Sequence, residues 1–232
     1  MRTLEQIEQY QDGMRKTIQK MRAKILDLAI HGKLVPQDSN DEPAIELLKR
    51  TNPKFVSCDI SHYGNLPQNW CVCKLKDVFD ITMGCSPSGN TINNNKDGIE
   101  FHQGKLYFSD TYIQQSNIFT NSPTKLAKAH SILLCVRAPV GEVNITEREI
   151  CIGRGLCALK PKTNIDFMFA FYAMQTHKEH FDEQATGTTF KAIGRDTIKD
   201  EAFILPPYKE QIRIRQKIEN VLLQLETIST QL

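Results

Sequence analysis

The segment HKEHFDE, residues 177–183, is the densest cluster of side chains that could bind a metal ion. His177 and His180 are spaced so that both would lie on one face of a helix, close to carboxylates. Histidine and carboxylate side chains are common ligands of zinc. The sequence marks no third ligand for such a site, and a hydrated polar face of a helix explains the segment more simply. We therefore expect no metal site here.

The segment LPPYKE, residues 205–210, is similar to the Pro-Pro-Tyr signature of enzymes that methylate amino groups in DNA. Those enzymes need Asn or Asp before the prolines, because that side chain holds the exocyclic amine by hydrogen bonds. Leu205 occupies this position and offers no polar atom. Two prolines in front of a helix are typical of helix starts, and Pro207 would lie near the first turn.

Other catalytic patterns are also missing from the sequence. No Asp or Glu is followed two residues later by Lys, an arrangement that many metal-dependent nucleases use. The loop GCSPSGNT, residues 84–91, has neither the lysine of a phosphate-binding loop nor the residue order that presents a nucleophilic serine. No glycine-rich loop follows a first strand to hold a dinucleotide or AdoMet. We expect a non-catalytic chain that recognises a partner and needs no metal or cofactor of its own.

Composition and charge set few limits on the partner. The net charge is +2, and basic and acidic residues are equally numerous between residues 51 and 205, which neither requires nor excludes nucleic acid. The seven cysteines include no CxxC pair, so we expect buried free thiols. No apolar run reaches the roughly 20 residues needed to cross a bilayer, and the polar start lacks a signal-peptide core. A cytoplasmic protein without membrane contact is expected.

Two long helices are predicted at the ends of the chain. Apolar residues recur there with alternating spacings of three and four, which is typical of a coiled-coil seam. The first helix would cover residues 1–31, with Gly32 as its cap and Pro36 preventing its continuation. The second would begin near Pro207. The two predicted seams consist of Leu4, Ile7, Gln11, Met14, Ile18, Met21, Ile25, Leu28, Ile214, Ile218, Val221, Leu225, Ile228 and Leu232.

A mixed α/β domain is predicted between these helices. Short β-rich segments separated by turn signals run from about residue 70 to residue 160, and they include KLYF, residues 105–108. Residues 165–183 are predicted to form one helix, and TIKDEAFILPP contains a short strand. The fold predicted is thus an α+β domain at 36–206, flanked by coiled-coil helices at 1–35 and 207–232.

The segment that leads into the domain, residues 37–50, is predicted to contain a short helix. Asp41 or Asn40 would cap this helix through its side chain, and Pro43 would suit its first turn.

Four segments, in this order, resemble the specificity subunits of type I restriction–modification systems. ILDLAIHGKLVPQDSNDEPAIELLKR is similar to the end of their spacer helix and its exit. LPQNWCVCKLKDVFDITMGCSPSGNT and LLCVRAPVGEVNI look like the opening and the middle of their target recognition domain. GTTFKAIGRDTIKDEAFILPPYKEQIRI resembles the end of that domain and the start of a new spacer helix. The ordered set extends over nearly the whole chain.

The resemblance implies a non-catalytic subunit that reads double-stranded DNA. A typical member has two recognition domains, each reading half of a bipartite site, and two long antiparallel helices that set the distance between the halves. Methyltransferase and restriction subunits assemble around it, and the complex acts as a site-specific deoxyribonuclease and adenine methyltransferase. AdoMet, ATP and magnesium would belong to those partners. This sequence departs from the pattern because it contains one recognition domain, as in a half-size form. A natural half-subunit, a fragment and a part of a larger gene product all stay open as explanations.

The two seams need a cover, because an exposed apolar stripe is unfavourable in water. We expect a two-fold homodimer in which the second helix of one copy points towards the domain of the other. The alternative is a monomer in which the two helices form a hairpin. Two other classes of function also stay open: a coiled-coil scaffold whose domain binds protein, and an enzyme with an unrecognised site.

Loops of the domain are the expected carriers of DNA contacts, because Arg, Lys, Asn and Gln side chains can reach base edges. Arg137 and Arg154 would sit near strand ends and are expected to meet phosphates. For each residue the alternative is an ordinary turn or a solvated surface position. The predicted DNA-contact residues are Ser86, Ser88, Asn90, Asn93, Gln103, Lys105, Arg137, Arg154, Thr188, Lys191 and Arg195.

Overall fold

A computed structural model describes residues 4–58, 66–162, 165–187 and 191–230, without the side chains of residues 4–8 and 229–230. A mixed α and β domain lies between two long helices, which confirms the predicted fold class. The helices are α1 Leu4–Ile30, α2 Ala44–Thr51, α3 Leu75–Val78, α4 Phe167–Gln175, α5 Lys178–Gln184, α6 Arg195–Asp200 and α7 Tyr208–Thr230. The strands are β1 Cys71–Lys74, β2 Phe79–Met83, β3 Ile92–Asn93, β4 Ile99–His102, β5 Phe119–Thr120, β6 Leu126–Ala127, β7 Ser131–Cys135, β8 Val143–Thr146, β9 Ile150–Ile152, β10 Leu156–Pro161 and β11 Ala202–Leu205.

A four-stranded antiparallel sheet with the order β2-β10-β7-β8 forms the middle layer of the domain. Both of its faces are covered, which explains the continuous apolar run SILLC of β7. Successive side chains of a strand point to opposite faces. Accordingly, Ile132 and Leu134 belong to the main core, whereas Leu133 belongs to a second, smaller core.

The second core lies between the middle sheet and a five-stranded sheet with the order β3-β5-β4-β9-β6. In that sheet β4 and β9 run parallel, and the other pairs are antiparallel. Ile150 and Ile152 of β9 are fully buried against Leu133 and Leu156 of the middle sheet. The ends of β2, β4 and β9 and the start of β10 are therefore fixed close to one another.

Helices cover the other face of the middle sheet, but residues 165–183 form two helices rather than the single helix predicted. α4 ends at Gln175 and α5 begins at Lys178. At the break, the Thr176 hydroxyl donates a hydrogen bond to the Ala173 carbonyl (2.7 Å), and His177 Nε2 lies 3.0 Å from the Ala202 carbonyl of β11. The contact of His177 with β11 lies at the point where the chain turns, and helical periodicity alone does not reveal it.

A two-stranded sheet brings the beginning and the end of the domain together. β1 pairs with β11 antiparallel, with Cys71 opposite Leu205. Leu205 is fully buried at the end of β11, and α7 starts directly after the two prolines. Because β1 and β11 are adjacent, the two long helices leave the domain on the same side.

α1 ends in a left-handed glycine cap, as predicted. Gly32 has a φ of +66° and donates to the Ala29 carbonyl, and the Lys33 amide donates to the Leu28 carbonyl at 2.9 Å. This pair of bonds is the Schellman arrangement. α2 differs from expectation, because Pro43 precedes its first residue and no side chain caps it. Asp41 instead forms an ion pair with Arg213 of α7 at 2.5 Å.

Two smaller expectations are wrong. The segment KLYF forms a 3-10 turn, in which the Phe108 amide donates to the Lys105 carbonyl at 2.9 Å. The aromatic rings of Tyr107 and Phe108 pack on the second core, so their apolar character reflects burial rather than a strand. Not every cysteine is buried: Cys85 is exposed and Cys58 is half-buried.

Within the described ranges, no helix combines the length and apolarity that crossing a membrane requires.

Candidate DNA interface

The ends of three strands meet at one edge of the domain, where backbone hydrogen bonds join them. After β2, the Gly84 amide donates to the Leu156 carbonyl (2.9 Å) and the Cys85 amide to the Ile152 carbonyl (3.0 Å). After β9, the Gly153 amide donates to the His102 carbonyl at 2.8 Å. We call the residues 84–86, 102–105, 136–138, 153–155 and 191–195 the loop edge.

Three of the predicted contact residues meet in the middle of the loop edge. The Ser86 hydroxyl donates a hydrogen bond to Gln103 Oε1 at 2.7 Å. The same hydroxyl oxygen accepts from the Arg154 amide at 3.4 Å. The side chains of Gln103 and Arg154 are exposed. These residues are far apart in the sequence, and the sheet topology brings them together.

Arg137 and Lys191 continue the same edge. The Val136 amide donates to the Gly155 carbonyl at 2.9 Å, so Arg137 follows directly beside the turn that carries Arg154. The Ala138 amide donates to the Lys191 carbonyl at 3.1 Å, which places the segment 191–195 alongside. Lys191 lies 3.5 Å from the Asp182 carboxylate.

Arg195 is the first residue of α6 and is exposed, two residues after Ile193, whose amide donates to the Val136 carbonyl at 3.1 Å. It therefore belongs to the loop edge. Thr188, the remaining predicted contact residue of this segment, lies outside the described residues.

Lys105 also belongs to the loop edge, but its charge is already matched. Its ammonium group is 2.9 Å from Glu142, and Lys178 approaches the same carboxylate at 3.3 Å. Partial burial acts to raise the pKa of Glu142, but the hydrogen bond from Lys105 and the charge on Lys178 hold it below its usual value. Lys105 is thus less available to DNA than the exposed arginines.

The predicted contact residues of the loop 86–95 fall into two groups in the structure, one bonded locally and the other exposed. Asn93 Nδ2 donates to the Asp97 carbonyl (2.8 Å) and its Oδ1 accepts from the Asp97 amide (3.1 Å), so its amide closes a turn. Ser88 and Asn90 are exposed at a short 3-10 turn. No hydrogen bond within the described part of the chain joins these three side chains to Gln103 or Arg154.

The electrostatic character of the loop edge comes from arginines. Arg137, Arg154 and Arg195 have no carboxylate partner among the described residues. Lys125 adds a basic side chain that the sequence reasoning missed, because the residue lies in a segment that reads only as a turn. Its carbonyl accepts from the Ile152 amide at 2.9 Å, beside Cys85, whose carbonyl accepts from the Thr124 hydroxyl.

A buried ionic network supports the loop edge from below. Arg148 makes two hydrogen bonds to Glu100, at 2.6 and 2.7 Å, and His102 Nε2 lies 2.7 Å from the same carboxylate. Burial acts to raise the pKa of Glu100, but the hydrogen bonds from Arg148 and from the Ser116 amide bring it down to about 2. Burial lowers the pKa of His102, whereas the hydrogen bond with Glu100 acts to raise it. The network fixes the end of β4 immediately before Gln103, and no sequence signal marked it.

The two long helices pack antiparallel. Arg22 of α1 lies 3.4 Å from Glu226 near the end of α7, and Gln37 donates to Glu210 at the start of α7 at 2.7 Å. Because Arg22 lies opposite Glu226 and the helices are antiparallel, Thr230 at the described end of α7 lies opposite about residue 18 of α1.

The predicted seam is only partly the face by which the helices pack. Leu26 and Ala29 are buried on α1, although the prediction named Ile25 and Leu28, which are half-buried. The offset arises because α1 packs on α4 as well as on α7. On α7, the residues of the predicted seam are buried at the start of the helix and exposed towards its end. Ile214 and Ile218 are fully buried, Val221 and Leu225 are half-buried, Met14 and Ile18 on α1 are half-buried, and Gln11, Met21 and Ile228 are exposed, the last two at 50%.

Leu4 and Ile7 lie in α1, but their side chains are not among those described, and Leu232 lies outside the described residues. Within the described chain, no three His, Cys, Asp or Glu side chains are arranged to hold a metal ion. His180 instead lies 3.3 Å from the buried Glu201 carboxylate.

Comparisons with known proteins place these features in a family. Residues 67–232 match the family model described as the type I restriction modification DNA specificity domain. The putative type I restriction enzyme MjaX specificity subunit of Methanocaldococcus jannaschii is 36% identical over 164 residues, which is 69% of this chain and 38% of that protein. The MjaIX specificity subunit of the same organism is 27% identical over 183 residues, 75% of this chain and 41% of that protein.

A solved structure agrees with the sequence relatives. The crystal structure of the HsdS subunit from Thermoanaerobacter tengcongensis matches 97% of this chain and 50% of its own length, with a TM-score of 0.66 and 27% identity. The chain thus spans about two fifths to one half of the relatives that it matches. With a family match over most of its length, the chain belongs to the type I restriction–modification DNA specificity family.

Proposed function

We propose that this chain is a DNA-sequence-specificity component of a type I restriction–modification complex. Its recognition domain, residues 36–206, would read one half of a bipartite double-stranded DNA site. The observation that carries the proposal is the convergence of Ser86, Gln103, Arg154, Arg137 and Lys191, all predicted as DNA contacts, on one edge of the domain. Because the chain belongs to a DNA specificity family, DNA is the expected ligand of this edge.

Charge supports this assignment. The segment 51–205 is balanced in charge, yet Arg137, Arg154 and Arg195 stand at the loop edge without a carboxylate partner among the described residues. Unmatched cations on one edge suit a phosphate backbone, while the Gln and Ser side chains between them suit base edges. The affinity of this chain alone would be modest, because few phosphates are contacted.

The helices at residues 1–35 and 207–232 would act as the spacer between two recognition domains. A second copy of this chain is the proposed source of the other domain, in a two-fold homodimer. The half-open seam favours this arrangement, since Met21 and Ile228 are exposed apolar side chains. The second copy would cover these surfaces and convert the helix pair into a longer bundle.

Catalysis would reside in the partners. Methyltransferase subunits would dock on the helices and bring AdoMet, and restriction subunits would bring ATP and magnesium. This chain would hold none of these groups itself and would direct the complex to its site.

The proposal is tested by titrating fluorescent duplex DNA with the purified chain at 50 and 200 mM salt. Release of counterions from two phosphate contacts, those of Arg137 and Arg195, predicts an affinity about 10-fold lower at the higher salt. Replacing Arg137, Arg154 and Arg195 together by Ala should abolish binding. A matched control replaces Lys16, Lys20 and Lys33, which are exposed on α1 and at its exit, and should bind like the wild type. A chain that acts as a protein scaffold would show no DNA binding at either salt concentration.

A further inference from the structure

Arg154 stands on a turn whose backbone is unusually well held. The Gly153 amide donates to the His102 carbonyl at 2.8 Å, and the Gly155 amide donates to the Gln103 carbonyl at 3.1 Å. The Arg154 amide itself donates to the Ser86 hydroxyl at 3.4 Å. The Leu156 amide closes the turn on the Gly153 carbonyl at 3.0 Å. Every amide of the turn therefore has a partner, so the direction of the Arg154 side chain at its Cα is fixed.

Two glycines make this close fit possible. A Cβ at Gly84 would lie 2.8 Å from the Leu156 carbonyl oxygen and would collide with the Gly153 carbonyl. A Cβ at Gly155 would lie 2.5 Å from the Gln103 carbonyl oxygen. The turn is thus pressed between the end of β2 on one side and Gln103 on the other, and larger residues at these positions would push it out.

The Gln103 side chain folds back over Gly153, where a Cβ would strike its Oε1. The Ser86 hydroxyl donates to that oxygen at 2.7 Å, which orients the amide. Within the described residues the Nε2 group of Gln103 and the guanidinium of Arg154 have no partner. Both side chains therefore offer hydrogen-bond donors from which no described carboxylate accepts.

We propose that the turn 153–155 is a guanine reader, in which Arg154 donates to the O6 and N7 atoms of one guanine in the major groove. Gln103 would be a positioning neighbour that holds the turn in place, because its carbonyl accepts from the Gly155 amide and its side chain lies over Gly153. This inference rests on the proposed function and specifies part of the half-site, which would contain a G·C pair. A bidentate contact to guanine is the most common specific use of arginine in DNA recognition.

A base contact explains the construction of the turn better than a phosphate contact does. A phosphate can be met by a mobile cation from many directions, whereas readout of a base edge needs a side chain of fixed direction. Arg137, next along the edge, shows the contrast. It is exposed on the connection between β7 and β8, where a bridge to Ala192 holds its backbone, and no polar side chain in the described chain bonds to its amide as Ser86 does to that of Arg154. Arg137 is therefore assigned to the phosphate backbone.

The test selects duplexes with a randomised central segment on the wild-type chain and on the variants Arg154→Ala, Arg154→Lys and Arg137→Ala, followed by sequencing. The wild type should enrich a guanine at one position. Arg154→Ala should lose that preference, with a 5- to 150-fold loss of discrimination at this position only, and keep the others. Arg154→Lys should keep affinity but lose part of the discrimination, because the lysine ammonium lacks the planar fork with which arginine pairs with O6 and N7.

Arg137→Ala should weaken all sequences alike and lower the slope of log affinity against log salt by about 1. Ser86→Ala should weaken the preference for guanine at the same position and leave the slope of log affinity against log salt unchanged. The inference is overturned if Arg154→Ala weakens all sequences equally, or if the position that it affects is not a guanine. A wild-type chain that enriches no sequence would overturn both the inference and the proposed function. A selective wild type whose base preferences Arg154→Ala leaves intact would overturn the inference alone.

Discussion

Trp70 Nε1 donates a hydrogen bond to Glu210 Oε2 across 2.9 Å, and this contact joins the beginning of β1 to the first turn of α7. Both side chains are buried. The other oxygen of Glu210 accepts from Gln37, just after α1, at 2.7 Å. One carboxylate thus connects the domain to both long helices. If the helices act as a spacer, this contact sets their angle to the recognition domain.

Replacing Glu210 by Ala should lower the free energy of unfolding by about 1–3 kcal/mol, because Trp70 and Gln37 lose their buried acceptor. Glu210→Gln should cost less, since an amide oxygen still accepts from Trp70. Burial raises the pKa of Glu210 against these hydrogen bonds, so the charge itself is a cost that the amide removes. Urea unfolding followed by the fluorescence of the single tryptophan measures both variants. Equal destabilisation by Ala and Gln would contradict this account.

The Glu100 network predicts a pH dependence. The folded pKa of Glu100, about 2, lies below its usual value of 4.5, so its stabilisation is present above about pH 4.5 and is lost as the pH falls towards 2. At neutral pH it amounts to roughly 2–3 kcal/mol. The difference in unfolding free energy between wild type and Glu100→Gln should therefore shrink between pH 5 and pH 3. A constant difference over this range would show that Glu100 has no depressed pKa.

The close approach at Gly84 predicts that Gly84→Ala destabilises the loop edge. Its Cβ would collide with backbone atoms of the turn 153–156, which cannot move aside as a flexible side chain can. We expect the free energy of unfolding to fall by about 1–3 kcal/mol. Gly104→Ala is the matched control, because its Cβ would meet nothing within 4 Å and its backbone is extended. Differential scanning calorimetry should show a lower melting temperature for Gly84→Ala only.

The two parts of the helical seam should behave differently on mutation. Ile218 is fully buried, so Ile218→Ala should lower the unfolding free energy by about 2–5 kcal/mol. Met21 and Ile228 are half exposed, so replacing both with Lys should leave the unfolding of the subunit nearly unchanged but prevent dimerisation. Sedimentation velocity at micromolar concentration reports the state of assembly. A wild-type chain that sediments as a monomer would refute the homodimer.

Much of the architecture follows from local sequence rules. The glycine cap of α1 and the start of α7 after Pro207 obey rules that act within a few residues, and both are observed. The break between α4 and α5 depends on β11, which follows 20 or more residues later, and so periodicity could not reveal it. The face of α1 that packs is also set by tertiary contacts, since α4 takes Leu26 and Ala29 into the core.

The candidate site was predictable in its residue types but not in its construction. Loops rich in Ser, Asn and Gln pointed to Ser86 and Gln103, yet Asn93 of the same loop closes a turn with Asp97. Side chains that bond locally and side chains that face a ligand look alike in a sequence. The sequence does not indicate the role of Arg148 beneath the edge, because its partner, Glu100, lies 48 residues away.

The most direct test of DNA binding at the loop edge uses Cys85, an exposed thiol next to Ser86. A duplex selected from the randomised pool should slow the alkylation of Cys85 by a maleimide at least about tenfold, since bound DNA would cover the edge. Cys58, half-buried beside β1, is the internal reference and should react at an unchanged rate. An unchanged rate at Cys85 while the duplex is bound would show that DNA binds elsewhere and would contradict the assignment of this edge as the reading surface.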